Sequence, residues 1–74
     1  MAERSRSIQI FYRQLATGIE EGYVDGGDEI GHEIDAWLNG DLFDFEADYI
    51  KDRLEDEVGW TLIRDNGRWI VDKI

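Results

Sequence analysis

The first third of the chain carries apolar residues at helical spacing. They recur every three or four positions, at Ile8, Tyr12, Leu15 and Ile19. This period predicts a helix from Ser7 to about Glu21. The alternation of Ile8, Ile10 and Tyr12 would also fit a strand, but the later apolar residues continue the helical face. Residues 1–6 lack the apolar segment of a secretory signal, so we expect them to form a frayed N-terminal tail.

A second helix is predicted from Glu29 to Asn39. Asp28 is a favourable N-cap residue, and Gly40 stands where helices commonly end with a glycine. Gly22 and the Asp25-Gly26-Gly27 run predict a flexible turn between the first two helices. The apolar face of the second helix consists of Ile30, Ile34, Trp37 and Leu38.

A third apolar stripe predicts a helix that ends at about Glu57, with Asp41 or Asp44 as its N-cap. Gly59 follows at the position where a left-handed residue often terminates a helix. The stripe consists of Phe43, Ala47, Ile50, Leu54 and Val58.

The C-terminal residues have the pattern of a β-hairpin. Two runs rich in strand-forming residues, Trp60–Arg64 and Arg68–Lys73, flank Asn66-Gly67, the strongest short signal for a type I′ turn. That turn predicts the pairs Asp65–Arg68, Arg64–Trp69, Ile63–Ile70, Leu62–Val71 and Trp60–Lys73. One face of the hairpin then carries Trp60, Leu62, Trp69 and Val71, and the other carries Ile63 and Ile70.

Three helices followed by an antiparallel hairpin define a small α+β domain, which we place at residues 7–74. A chain of 74 residues has room for one such domain. The element order resembles that of winged helix-turn-helix domains. The resemblance implies that the third helix enters the DNA major groove and that the hairpin forms the wing. It puts the recognition position on residues 44–57.

The charge of the chain argues against the DNA-binding role that this resemblance implies. Eighteen acidic and eight basic residues give a net charge of −10, whereas nucleic-acid binding needs a basic surface. The same charge disfavours attachment to an anionic membrane surface. The chain has no cysteine, which excludes disulfides and Cys-ligated zinc. We expect a cytoplasmic protein.

The acids of the third helix form an ordered pattern. When the apolar stripe faces the core, an outward row at i, i+4 spacing consists of Asp44, Asp48, Asp52 and Asp56. Phe45 and Tyr49 lie beside this row and also point outward. Each like-charge i, i+4 contact costs a helix about 0.2–0.5 kcal/mol, so folding alone does not account for the row. Seven acids and two bases over residues 44–57 approach the linear charge density of one DNA strand.

From this pattern we hypothesise an acidic protein inhibitor of the DNA-mimic type, which is not an enzyme. Its partner would be a basic nucleic-acid-binding protein or effector complex, with no direct binding of nucleic acid or membranes. In size and acidity it resembles the phage and mobile-element proteins that block CRISPR effectors or restriction enzymes in the host cytoplasm. The expected partner-binding residues are Asp44, Phe45, Asp48, Tyr49, Asp52, Glu55, Asp56, Asp28 and Asp35.

Two other interpretations of the sequence stay open. The acids can form an ordinary solvated face, or a halophilic adaptation in a chain with only two lysines. Alternatively, the protein is an adaptor or an oligomerisation domain, such as a homodimer, whose anchors are Trp60 and Trp69 in the hairpin. In both cases the acidity would not be a binding determinant.

Candidate catalytic and metal-binding patterns are incomplete. His32 follows Glu29 at the Glu-x-x-His spacing of di-iron bundles, which require a second such motif. Residues 25–29 combine acids with glycines but do not place ligands at the positions of a calcium loop. No Ser–His–Asp order and no phosphate-binding glycine-rich loop is present. We therefore expect no cofactor, no metal and no catalytic residue.

Overall fold

Three helices and two strands follow one another in the computed structural model, which describes the backbone of residues 2–74 and the side chains of residues 4–74. They are α1 (Ala2–Glu20), α2 (Gly31–Leu38), α3 (Asp44–Arg53), β1 (Trp60–Asp65) and β2 (Arg68–Lys73). Helix α3 continues into a π-helical turn, Leu54–Val58. This order confirms the predicted α+β fold of three helices and an antiparallel hairpin.

The hairpin has the predicted register. Asn66 and Gly67 form its turn with φ values of 52° and 76°, and positive φ at both positions is what a type I′ turn requires. The side chains buried on one face belong to Leu62, Trp69 and Val71. The paired residues include Trp60–Lys73, Leu62–Val71, Ile63–Ile70, Arg64–Trp69 and Asp65–Arg68.

A short segment before α2 pairs with the outer edge of β2. The Gly27 N–H donates to the Val71 carbonyl (2.8 Å), and the Val71 N–H donates to the Asp28 carbonyl (3.1 Å). Asp28 is therefore not the N-cap of α2, and the helix begins at Gly31, two residues later than predicted. The pairing supplies partners to an otherwise open strand edge and buries Ile30.

Helix α1 begins at Ala2, so the predicted helix start at Ser7 is wrong. The predicted apolar face of α1 is buried, and Phe11 joins it. Arg4 links the first turn of α1 to α3, because its guanidinium donates a hydrogen bond to Glu46. A pattern of apolar residues carries no information about this polar contact.

Helix α3 packs on the core through Ala47 and Ile50, and Leu54 extends the same face into the π-helical turn. Phe43 was predicted for this face and is exposed instead, because it precedes the first helical residue and has an extended backbone conformation. Its neighbour Leu42 is buried. The side chain that enters the core at this point therefore comes from the loop, one residue earlier than predicted.

Helix α2 buries a narrower face than its sequence predicts. Ile34 and Leu38 are buried, whereas Trp37 is exposed, so the prediction of Trp37 as a core residue is wrong. The helix ends at Leu38, and the left-handed residue after it is Asn39 (φ 55°) rather than Gly40. Asparagine is one of the residues that adopt this conformation at modest cost.

Candidate functional site on the third helix

The burial of one side of α3 turns its aspartates to the surface. Ala47 and Ile50 lie in the core, and the aspartates on the opposite side of the helix are exposed. Asp56 is also exposed, within the π-helical turn. We call these four carboxylates the acidic row: Asp44, Asp48, Asp52 and Asp56.

The acidic row is regular over its first three members. Asp44, Asp48 and Asp52 belong to the α-helical part, where residues four apart are neighbours on the surface. Asp56 lies in the π-helical turn, in which the Gly59 N–H donates to the carbonyl five residues earlier (2.8 Å). Two of the three predicted like-charge contacts therefore have α-helical geometry, and the third crosses a wider turn.

The fold leaves the carboxylates of the acidic row free. Among the side chains of residues 4–74, no hydrogen bond or ion pair reaches any of its four members. Five bases are instead paired with other acids, in the ion pairs Arg4–Glu46, Lys51–Glu55, Arg53–Glu57, Arg64–Asp41 and Arg68–Glu29. The row is consequently a strip of carboxylates that make no ion pair within the described residues.

Glu55, a predicted partner-binding residue, belongs to the paired acids. It accepts from Lys51 Nζ and from the Thr61 hydroxyl, both at 2.9 Å, and the hydrogen bond from Lys51 lowers the pKa of Glu55. The pKa of Lys51 is raised, mainly by Glu55 and further by the charges of Asp52 and Asp48. Lys51 therefore borders the acidic row and offsets part of its charge, and Glu55 is less available than the row.

Asp28 and Asp35 lie apart from the acidic row. The Asp28 side chain accepts the Asp25 N–H (2.9 Å) and fixes the turn before α2. Asp35 lines a crevice of about 280 Å³ between α2 and the hairpin. Asp44 and Asp48 border a separate groove between α3 and the hairpin. That Asp28 and Asp35 extend the binding surface stays a prediction.

On the α1 side of the acidic row, a groove of about 440 Å³ separates α1 from α3. Phe45 is 71% exposed, as its predicted outward orientation requires, and Phe43 is 57% exposed. Their rings stack with centroids 6.0 Å apart. Tyr49, which was predicted to point outward, is instead half-buried against the core. We call this feature the aromatic groove; its walls include Ser5, Ile8, Gln9, Phe43, Phe45 and Tyr49.

The base of the aromatic groove is a partly buried ion pair between Arg4 and Glu46. Glu46 is 3% exposed and accepts from Arg4 Nε at 2.7 Å and from the Phe43 N–H at 2.8 Å. The remaining N–H groups of Arg4 reach the carbonyls of Leu38 (2.9 Å) and Asp41 (2.7 Å). The hydrogen bond from Arg4 holds the pKa of Glu46 below its ordinary value. One side chain thus joins α1, the end of α2 and the start of α3.

The opposite end of α3 is held by a second polar network. Arg53 donates from Nε to Glu57 (3.0 Å) and from a terminal nitrogen to the Tyr49 hydroxyl (2.8 Å), and it lies 4.1 Å from the centre of the Tyr12 ring. The Tyr12 hydroxyl donates to Glu57 (3.1 Å). Burial, together with Glu57, raises the pKa of Tyr12 to about 12. These contacts fix Tyr49 at the edge of the aromatic groove.

Sequence reasoning missed three residues of this site: Arg4, Phe43 and Glu46. One local signal was present, because Glu46 stands three residues after the helix N-cap, the spacing at which a glutamate accepts the N-cap N–H. The contact between Arg4 and Glu46 joins residues 42 positions apart. No local pattern predicts a contact of that sequence separation.

No three His, Cys, Asp or Glu side chains of residues 4–74 lie close enough together to hold a metal ion. No helix within residues 2–74 has both the length and the apolar character needed to cross a membrane.

Comparison of the chain with protein-family models, curated proteins and solved structures gave no match.

Proposed function

We propose that this chain is an acidic inhibitor that occupies the nucleic-acid-binding surface of a larger basic protein. The main support for the proposal is that no described side chain forms a hydrogen bond or an ion pair with the acidic row. Four exposed carboxylates follow one another along α3 and its π-helical turn, and no base among the described side chains neutralises them by an ion pair. Lysines and arginines that normally hold phosphates would pair with these carboxylates.

The spacing of the free charges suits this role. The four members of the acidic row span residues 44–56, which is about 20 Å along a helix axis. One strand of duplex DNA carries a phosphate for every ~3.4 Å of axis. The row supplies about one charge per 6 Å, since its members are four residues apart, so a groove shaped for phosphates would meet a line of negative charge at a little over half the density of a DNA strand. Such association is fast and weakens steeply with salt.

The alternative of an adaptor anchored by hairpin aromatics has less support. Trp69 is only 8% exposed, and its indole N–H donates to Asp41 at 2.7 Å. Trp60 is half-buried, and the Lys73 ammonium lies over its ring at 5.9 Å. Both side chains are part of the packing of the hairpin. An interface would have to remove them from these contacts, whereas the acidic row is already exposed.

The test is capture from a lysate of the source organism with two charge-matched variants. The row variant replaces Asp44, Asp48, Asp52 and Asp56 by Asn. The control replaces four exposed acids outside the predicted site by their amides: Glu20, Glu21, Asp25 and Glu33. Both variants carry a net charge of −6, from −10 plus four.

We expect the wild type and the control to retain a nucleic-acid-binding protein at about 50 mM salt and to release it at about 500 mM or on addition of DNA. The row variant should retain no more than about one tenth of the amount of this protein that the wild type retains. Equal retention by both variants would contradict the proposal, because it would assign binding to net charge. A domain that folds only in molar salt and captures nothing would show that the acidity is a solvent adaptation.

A further inference from the structure

The aromatic groove borders the acidic row but has a different chemistry. Phe43 and Phe45 present their rings to solvent, and Ile8 and Tyr49 also line the groove. We propose that the groove binds one apolar side chain of the same basic partner whose charged residues meet the acidic row. This inference rests on the proposed function and adds to it the part of the interface that salt does not weaken.

The groove is apolar although a cation lies at its base. The Arg4 guanidinium donates to both carboxylate oxygens of Glu46, at 2.7 and 2.9 Å, and to two backbone carbonyls. Its central carbon, Cζ, also lies 4.9 Å from the centre of the Phe43 ring. The positive charge is therefore matched within the fold, so it neither attracts a free anion nor repels a basic partner. The remaining surface favours an apolar side chain.

The carboxylates next to the groove favour a partner segment in which basic residues flank the apolar side chain. Phe45 is followed three residues later by Asp48 and is preceded by Asp44, both exposed. A segment that places an apolar group against Phe45 must bring its flanking residues over these carboxylates. Lysine or arginine at those positions would form ion pairs, and aromatic anchors within a polar surround are typical of interface hot spots.

The same charges argue against a second copy of this chain as the occupant. Two copies would each bring a net charge of −10 and would place one acidic row close to the other. Self-repulsion of this kind opposes association. The bases Arg4, Lys51 and Arg53, which could have offset it on this face, are already paired within the chain. A basic partner has no such penalty.

The test uses two synthetic probes, a lysine-rich peptide with one central phenylalanine and the same peptide with alanine at that position. Affinities are measured by fluorescence anisotropy at about 50 mM and about 300 mM salt. For the wild type we expect the phenylalanine peptide to bind about tenfold more tightly at both salt concentrations, because burial of an apolar side chain is not screened. Amide shifts of Ser5 and Gln9 in NMR spectra should accompany this binding.

Two variants separate the groove from the row. Phe45→Ser should abolish the tenfold preference, so that the two peptides bind with equal affinity. Tyr23→Ser is the matched control, because Tyr23 is also a highly exposed aromatic residue but lies outside the groove. The row variant should weaken both peptides by the same factor and keep the preference. Circular dichroism confirms that each variant is folded.

The outcomes that overturn the inference differ from those that overturn the proposed function. Equal binding of the two peptides by the wild type, or a preference that survives Phe45→Ser, would refute the groove as an apolar site. A concentration-dependent dimer that Phe45→Ser dissociates would also refute it, since the occupant would be a second copy. Peptide binding that the row variant leaves unchanged would instead contradict the proposed function.

Discussion

Two carboxylates on α3, Glu46 and Asp48, carry the same charge in opposite environments. Glu46 is enclosed and accepts hydrogen bonds from Arg4 and from the Phe43 N–H. Asp48 is exposed two residues later, and no side chain within residues 4–74 bonds to it. The comparison shows that the negative charge of this helix has two parts. One part assembles the fold, and the other makes no hydrogen bond or ion pair within the described residues.

A second carboxylate that stabilises the fold lies outside α3. Asp41, in the loop before the helix, accepts from the Trp69 indole N–H (2.7 Å) and from Arg64 (3.0 Å), both in the hairpin. The indole hydrogen bond lowers the pKa of Asp41, with smaller contributions from the Leu42 N–H and Arg64. Asp41 therefore fastens the hairpin to the loop, as Glu46 fastens α1 to α3. The acidic row makes no comparable contact.

The largest effect on stability is expected from Glu46→Ala. The free energy of unfolding should fall by about 2–3 kcal/mol, because Arg4 and the Phe43 N–H both lose an enclosed acceptor. Chemical denaturation at neutral pH measures the loss. Asp48→Ala, on the same helix, should not lower the free energy of unfolding, because no hydrogen bond or ion pair is lost. Similar losses for the two variants would remove the distinction between the two kinds of carboxylate.

Asp41→Ala should have the next largest effect, about 1 kcal/mol. The Trp69 N–H would be left without its acceptor in a mostly buried ring, but more than half of the Asp41 side chain is exposed, so water recovers part of the loss. Chemical denaturation measures the loss of unfolding free energy. Faster solvent exchange of the Trp69 indole proton would show that the loss arises at this hydrogen bond. Asp35→Ala is the control, and a loss of the same size there would show that the hairpin contact is not the cause.

The parts of the fold that the sequence predicts are those with local causes. The hairpin register follows from a two-residue turn at Asn66-Gly67, and the exposure of Asp44 and Asp48 follows from the helical period of α3. The start of α2 could not be predicted in this way. Its N-cap candidate, Asp28, uses its backbone to pair with a strand more than 40 residues later, and this tertiary contact overrides local capping preference.

The candidate site also has parts that follow from local sequence and parts that depend on tertiary contacts. Helical period predicts that Phe45 faces outward, and the structure agrees. That Phe43 joins it in a groove depends on the loop that leads into α3 and on the first turn of α1, which is held in place by Arg4. The free state of the acidic row is likewise a property of the whole fold, because it depends on where each base finds its partner.

Unfolding free energies measured over a range of pH test whether the charge of Glu46 stabilises the fold. Glu46→Gln should cost about 1 kcal/mol at neutral pH, since the amide still accepts the Phe43 N–H but loses its charge opposite Arg4. The folded-state pKa of Glu46 is lowered, so its contribution is complete above the ordinary value of about 4.3 and is lost as pH falls through the folded pKa. The difference between wild type and variant should therefore vanish in acid.

Arg4→Gln provides the control for this series. Arg4 is the main cause of the lowered pKa of Glu46, so in an Arg4→Gln background the pH-dependent part of the Glu46→Gln effect should largely disappear. Unfolding free energies of the four proteins at each pH give the coupling directly. A coupling that stays constant from neutral pH to about pH 2 would show that the charge of Glu46 does not contribute to stability.

The smallest effect has the opposite sign. Asp48→Asn should raise the unfolding free energy by about 0.4–1 kcal/mol at low salt, because it removes like-charge contacts with both Asp44 and Asp52. The gain should shrink at about 1 M salt, where these contacts are screened. Asp25→Asn removes the same charge outside the helices and should give a smaller gain. Thermal unfolding at the two salt concentrations separates the cases. A loss of stability in Asp48→Asn would mean that the fold does use the acidic row, and the charge would then need no partner to explain it.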